Sequence, residues 1–173
     1  TLGWGTQPKA TINKMFPGLK GQPGLSTEHY YEIGKMCLVP ELNGTKGAGS
    51  QMVSATIRWM KQNTDRLFLY TMADGIMGKC GYVYQASNFY FGEKYWTQVY
   101  MMENGEKLHP RSTKKLCEEN LKFMNKGKDV SDKTFREKKL CWLSKDFMET
   151  RGISKVRGYM FRYIYPLNKK AKK

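Results

Sequence analysis

Residues 67–92, LFLYTMADGIMGKCGYVYQASNFYFG, decide how the chain reads. An apolar run from Leu67 to Tyr70 leads to an acid at Asp74, and Gly75, Gly78 and Gly81 then mark a turn. An aromatic-rich segment follows from Tyr82 to Phe91, with Tyr82, Val83, Ala86, Phe89 and Tyr90 spaced as the packing face of a helix. Strand, acidic loop and helix is the order in which an α/β fold presents chemistry at the carboxyl end of a strand. Asp74 is therefore the first candidate functional group.

Upstream, Tyr30–Leu42 centres on the apolar run Met36 to Val39, which Pro40 stops, and reads as a buried strand. A Gly-rich loop, Asn43 to Ser50, precedes a helix whose apolar face takes Met52, Val53, Ile57 and Met60, with Ser50 as its cap. The next strand is expected from Asp65. Strand, loop, helix, strand predicts a right-handed crossover if the two strands run parallel. Residues 1–25 are rich in Gly and Pro and offer one short strand, Leu2 to Gly5. Downstream, Tyr95–Met102 reads as a strand entering a hairpin at Asn104-Gly105, closed by Pro110. Helices are expected over Ser112–Asn125 and from Ser131 or Asp132 to Thr150. A last strand alternates Tyr159, Phe161, Tyr163 and Tyr165 against Met160, Arg162 and Ile164. The pattern predicts an α/β protein with a mixed central sheet flanked by helices, one domain over 1–173.

Charge is the strongest bulk signal. Thirty Lys+Arg against fifteen Asp+Glu give +15. From Ser112 to Lys173 there are 18 basic and 7 acidic residues, a net of +11, so the excess gathers in the last third. A polyanionic partner follows, because each phosphate neutralised releases condensed counterions. No apolar run approaches the roughly 20 residues that cross a bilayer, so no membrane partner is expected and the protein reads as soluble and cytoplasmic. The chain opens at Thr1, which fits a processed or truncated piece. Four widely spaced cysteines, Cys37, Cys80, Cys117 and Cys141, form no CxxC pair and read as reduced and partly buried rather than as zinc ligands.

Four groups could carry chemistry. Gly44-Thr45-Lys46-Gly47-Ala48-Gly49 lies ahead of a helix amino end, where backbone N–H groups favour anionic oxygens, so Lys46, Gly47 and Gly49 are candidate cofactor contacts. It is neither a Walker loop nor a Rossmann fingerprint. It partly resembles the pyrophosphate loop of GNAT acetyltransferases, with Gly44 where Gln or Arg is expected. The only histidines are His29 and His109. A histidine at an element end is most often structural; beside Glu28 and Tyr30, His29 is also a candidate ligand, base or proton relay. Tyrosines crowd the acidic loop. Most such rings are core, yet an extruded base needs aromatic faces and amide or acid groups, and Asp74, Tyr82, Tyr84 and Asn88 supply them. The basic set, Lys114, Lys115, Arg136, Lys138, Lys139, Lys145, Arg157, Arg162, Lys169, Lys170, Lys172 and Lys173, suits phosphate contacts.

Three segments resemble the phage Mom family: TEHYYEIGKMCLVP (27–40), YTMADGIMGKCGYVYQASNFYFG (70–92) and GEKLHPRS (105–112), with RYIYPLNKKAKK (162–173) as a fainter echo. The resemblance implies a GNAT-like fold and a phage-encoded enzyme acting in the bacterial host. Such an enzyme adds a carbamoylmethyl-type group to the N6 amine of adenine in double-stranded DNA and so blocks restriction. It places the family's His-Tyr pair on His29 and Tyr30 and its acid and tyrosine on Asp74 and Tyr84. It further implies iron at those four residues and a small-molecule group donor, acyl-CoA or another. Two other readings stay open at this stage. One is a CoA-dependent N-acyltransferase acting on a protein or small amine, the other a non-catalytic basic nucleic-acid-binding protein.

Overall fold

The computed structural model describes residues 1–7, 11 and 12, 25–108, 110–124 and 143–167. The described elements run β1 (Leu2–Trp4), β2 (Tyr30–Ile33), α1 (Ala48–Asn63), β3 (Phe68–Asp74), α2 (Tyr82–Ala86), β4 (Tyr90–Met102), α3 (Pro110–Met124), α4 (Lys145–Thr150) and β5 (Ile153–Pro166). The five strands form one mixed sheet in the order β1-β2-β3-β5-β4. β2 and β3 are parallel and in register from Tyr30↔Phe68 to Ile33↔Thr71, joined through α1. β1 and β5 run antiparallel to their neighbours β2 and β3. The mixed α/β reading is met.

By compactness the chain divides into two units, 1–96 with 159–173, and 97–158. In the first unit β3 is the central strand, and both of its faces are covered. Leu69 and Ala73 pack with Val53, Ile57 and Met60 of α1 and with Tyr84, Phe89 and Tyr163. Phe68 and Tyr70 pack on the other face with Ile12, Tyr30 and Ile164. That explains why Leu67 to Tyr70 shows no alternation: a strand buried on two sides is apolar at every position. The second unit has its own small core of Tyr100, Cys117, Leu143, Phe147 and Ile153. Its α4 is capped by the Ser144 hydroxyl. Cys117 is disulfide-bonded, against the expectation of four thiols; its partner lies outside the described residues. Cys37 and Cys80 are free thiols.

Several expectations about elements fail, among them the Ser50 cap, since Gly47 is the N-cap and Ser50 lies inside α1. The apolar run Met36 to Val39 is not a strand: β2 stops at Ile33, and the run leads into a short 3-10 turn at Pro40–Leu42, with Val39 exposed. Gly34 and Lys35 still donate their N–H groups to Thr1, at 3.1 and 3.2 Å, and the run beyond them pairs with no described strand. The helix expected to reach Phe91 ends at Ala86, because Asn88 takes a left-handed backbone (φ 60°) and the β-prone Phe89-Tyr90-Phe91 passes into β4. The helix expected from Ser131 or Asp132 to Thr150 is not continuous: Leu143 and Ser144 are not helical and α4 starts afresh at the Ser144 cap, while residues 131–142 lie outside the described residues.

On the β3 face opposite α1 lies a buried polar cluster. Arg162 is buried, stacks 4.3 Å over the Tyr95 ring and reaches Glu93 at 3.3 Å. A surface phosphate contact was expected of this residue; the β5 alternation turns it into the core instead. The Tyr70 hydroxyl finds no hydrogen-bond partner among the described residues. Burial pushes the Tyr70 phenol up to about 12, with the nearby Arg162 charge pulling the other way. Below pH 10 this phenol is protonated in both folded and unfolded chains, and stability is flat. Above pH 10 the unfolded chain ionises first, so stability drains away as pH rises through about 12, by about 3 kcal/mol. Urea midpoints measured from pH 8 to pH 12 should hold steady and then fall in that window, and Tyr70→Phe should blunt the fall.

Candidate functional site

Asp74 ends β3 as expected. Its carboxylate Oδ1 accepts the Ile76 and Met77 backbone N–H groups at 3.1 and 3.4 Å, and its carbonyl accepts the Lys79 N–H at 3.0 Å. A side-chain oxygen is needed there because the chain must turn into a 3-10 helix, Gly75–Met77, whose first N–H groups have no backbone acceptor. Gly78 closes the turn in a left-handed conformation (φ 71°), which is why the segment is punctuated by glycine.

The turn forms one wall of a cleft of about 600 Å³ at the carboxyl ends of β2 and β3. Opposite it is Gly34 to Cys37, the segment that leaves β2. Lys35, Cys37, Asp74, Lys79, Cys80, Tyr82 and Tyr84 bring charge, thiols and phenols to this one space. Tyr84 is buried and packs its ring against Phe89 and Tyr163, at 5.5 and 5.6 Å. Tyr82 is 77% exposed at the rim, and a hydrogen bond with the Cys80 side chain raises its phenol above the ordinary tyrosine range. Tyr95 feels the same acid: burial raises its phenol, Arg162 opposes that, and the Asp74 charge adds to it.

The amino end of α1 approaches the same region. A Cβ on Gly49 would lie 3.2 Å from Val83 and 3.9 Å from Met36, both of which line the cleft. Gly47 is the N-cap, in a left-handed conformation, and no side chain caps the helix. Lys46 is exposed in the turn before it and does not line the cleft, nor does Asn88, exposed in its own turn. His109, Arg136, Lys138, Lys139, Lys169, Lys170, Lys172 and Lys173 lie outside the described residues.

His29 and Tyr30 sit at the other end of the sheet. The Leu67 N–H donates to the His29 carbonyl at 2.8 Å, so His29 is level with the residue before β3. Asp74 is seven residues further along that strand, about 23 Å at the usual rise. The His29 ring closes a capping box: its Nδ1 accepts the Ser26 N–H at 2.9 Å and meets the Ser26 hydroxyl at 2.9 Å. A donor on Nδ1 puts the neutral ring's proton on Nε2. Tyr30 is fully buried and stacks on Phe68 at 4.8 Å, and burial raises its phenol. Its hydroxyl accepts the Gln7 N–H at 2.9 Å and donates to Glu32 at 3.4 Å. Tyr30 thus ties down Gln7, and His29 caps its own turn.

The four residues expected to share an iron ion therefore do not fit one coordination shell, whose ligands stand about 2 Å from the metal. Nor do any three His, Cys, Asp or Glu side chains gather for a metal among the described residues. The strand register separates the expected set into a structural pair, His29 with Tyr30, and a cleft pair, Asp74 with Tyr84. His29→Ala should accordingly act like loss of a cap, lowering stability by about 1 kcal/mol in thermal melts and leaving the chemistry of the cleft intact. Loss of activity in a variant that melts normally would restore His29 to the site.

Sequence reading did not single out Lys35, Cys37, Lys79 or Cys80. A signal existed: each Lys–Cys neighbourhood follows a glycine, Gly34 or Gly78, at the end of a strand or turn.

A mixed α/β protein with an acid fixed at the carboxyl end of a parallel strand pair is the class this geometry defines. The chain belongs to the Mom protein family, whose model matches residues 1–173. It is a phage DNA-modification protein, with DNA as its substrate. No curated protein matches the chain. Among the described residues no helix is long and apolar enough to cross a membrane.

Proposed function

We propose that the protein is a transferase that places a small, carbamoylmethyl-type group on the N6 amine of adenine in phage DNA, protecting it from host restriction. The observation that carries this reading is the Asp74 carboxylate, oriented by backbone N–H groups inside a cleft walled by Tyr82 and Tyr84. The N6 lone pair is delocalised into the adenine ring, so the amine attacks well only if its proton is accepted as the new N–C bond forms and the donor's bond to its leaving group breaks. Asp74 is the group suited to take that proton. The Tyr84 ring forms the cleft wall, and the Tyr82 phenol, kept protonated, donates a hydrogen bond at the rim. A space of about 600 Å³ is in the range of small-ligand sites, roughly 300–1,000 Å³. The target amine lies within a base pair, so the adenine must be extruded to enter.

The donor side of the cleft is the amino end of α1. Exposed N–H groups around Gly47 and Gly49 suit a donor whose leaving group carries phosphate, and Lys46 adds charge nearby. A parallel strand pair joined through a Gly-rich loop and a helix supports a GNAT-like reading of the fold. Nucleosides from DNA co-expressed with the protein, separated and weighed by mass spectrometry, test the proposal: a mass-shifted deoxyadenosine is expected. Unmodified deoxyadenosine alone, from cells containing folded protein, would refute it.

A further inference from the structure

A second cleft, of about 360 Å³, shares Cys80 with the first and is otherwise lined by Gln85, Phe89, Phe91, Phe161 and Tyr163. Phe89 and Tyr163 are buried, whereas Phe91 is 58% exposed on β4, an edge strand of the sheet. Its ring stands edge-on to Tyr163 at 5.9 Å and tilted to Phe161 at 6.4 Å, so Phe91 keeps much of its surface open to a ligand. Gln85 adds a polar group of fixed orientation. Its Nε2 donates to the Cys80 carbonyl at 3.1 Å and to the Tyr163 hydroxyl at 2.9 Å. A carbonyl only accepts, so the amide cannot be turned over, and both of its N–H bonds are committed. No described residue donates to the remaining amide oxygen.

We infer that this cleft seats a second unstacked DNA base, next in the strand to the one in the reaction cleft. Gln85 there favours a base with an amine on its pairing edge, adenine, cytosine or guanine, over thymine. The inference rests on the DNA-modification reading and makes this cleft a determinant of sequence context. Every base has a π-face for Phe91, so stacking supplies affinity without choice. The Gln85 Oε1 supplies the choice: it accepts an amine N–H from adenine, cytosine or guanine. Thymine instead turns toward it an N3–H flanked by two carbonyl oxygens, which repel it. Clefts that share a wall residue are placed for adjoining nucleotides, and the +15 charge suits the connecting phosphates.

The test is fluorescence-anisotropy binding of short single-stranded oligo(dA), oligo(dC) and oligo(dT) at one salt concentration, with thermal melts of each variant. The intact protein should bind the first two tighter than oligo(dT) by about fivefold or more, the value of one hydrogen bond. Phe91→Ala should weaken all three by about 5- to 100-fold, the range for losing one stacked base, and leave the salt dependence unchanged. Phe91→Tyr should bind as the unsubstituted protein does, which a merely structural role for this exposed ring would not require. Equal binding of the three oligomers, or unaltered binding by a folded Phe91→Ala, overturns the inference. In parallel, nucleosides from co-expressed DNA are weighed. A mass-shifted deoxyadenosine with unaltered Phe91→Ala binding sinks the second seat alone, and its absence in the unsubstituted protein sinks the modification reading instead.

Discussion

Asp74→Asn should lower the yield of modified deoxyadenosine by about 10²- to 10⁴-fold, the usual contribution of a general base. The substitution isolates the charge from the structure. An asparagine Oδ1 can still accept from the Ile76 and Met77 N–H groups, so the turn that Asp74 caps is retained and melts should shift by no more than about 1 kcal/mol. DNA affinity should hold or rise slightly, because a negative charge is removed from a surface that meets phosphates. This combination separates a proton acceptor from a mere cap: a cap alone would lose stability in the Ala variant and nothing in the Asn variant. Mass spectrometry of nucleosides, read beside binding at fixed salt, distinguishes the cases. Full modification by Asp74→Asn would remove Asp74 from the chemistry.

What the sequence disclosed and what it concealed divide along the range of the interactions involved. The strand ending at Asp74, the glycine-marked turn and the α1 face of Val53, Ile57 and Met60 are encoded within a few residues, and each appears as read. The failures are non-local. Met36 to Val39 has the composition of a strand, but pairing is settled by neighbours, and β2 leaves the sheet at Gly34 to wall the cleft. The placing of His29 and Asp74 at opposite ends follows from parallel register, which no local motif states. The burial of Arg162 was implicit in the β5 alternation, since it shares a face with Ile164, yet a basic residue in a basic chain invited a surface reading. The Cys117 disulfide could not be inferred, because spacing along the chain does not fix proximity in space.

The second large effect is expected at a residue that touches no substrate. Gly75→Ala should be destabilising by about 3 kcal/mol and should lose activity as well. A Cβ at this position would lie 2.4 Å from the Tyr159 carbonyl oxygen and 2.7 Å from the Phe161 ring. The ring could rotate aside; a backbone oxygen in a paired strand cannot. Relief requires β3 and β5 to part where Asp74 pairs with Met160, so the strain falls on the residue that carries the carboxylate. For a chain of 173 residues, about 3 kcal/mol corresponds to roughly 6–12 °C in the melting midpoint. A misplacement of Asp74 by about 1 Å would cost on the order of 10²-fold in rate. Gly78→Ala provides the contrast. That glycine has the left-handed φ of 71°, but open space surrounds its Cβ position, so the change should cost only about 1 kcal/mol of backbone strain. Thermal melts and nucleoside yields for the two variants, measured side by side, decide the matter. If Gly75→Ala proves no worse than Gly78→Ala, the close approach of β5 is not what fixes Asp74 in the cleft.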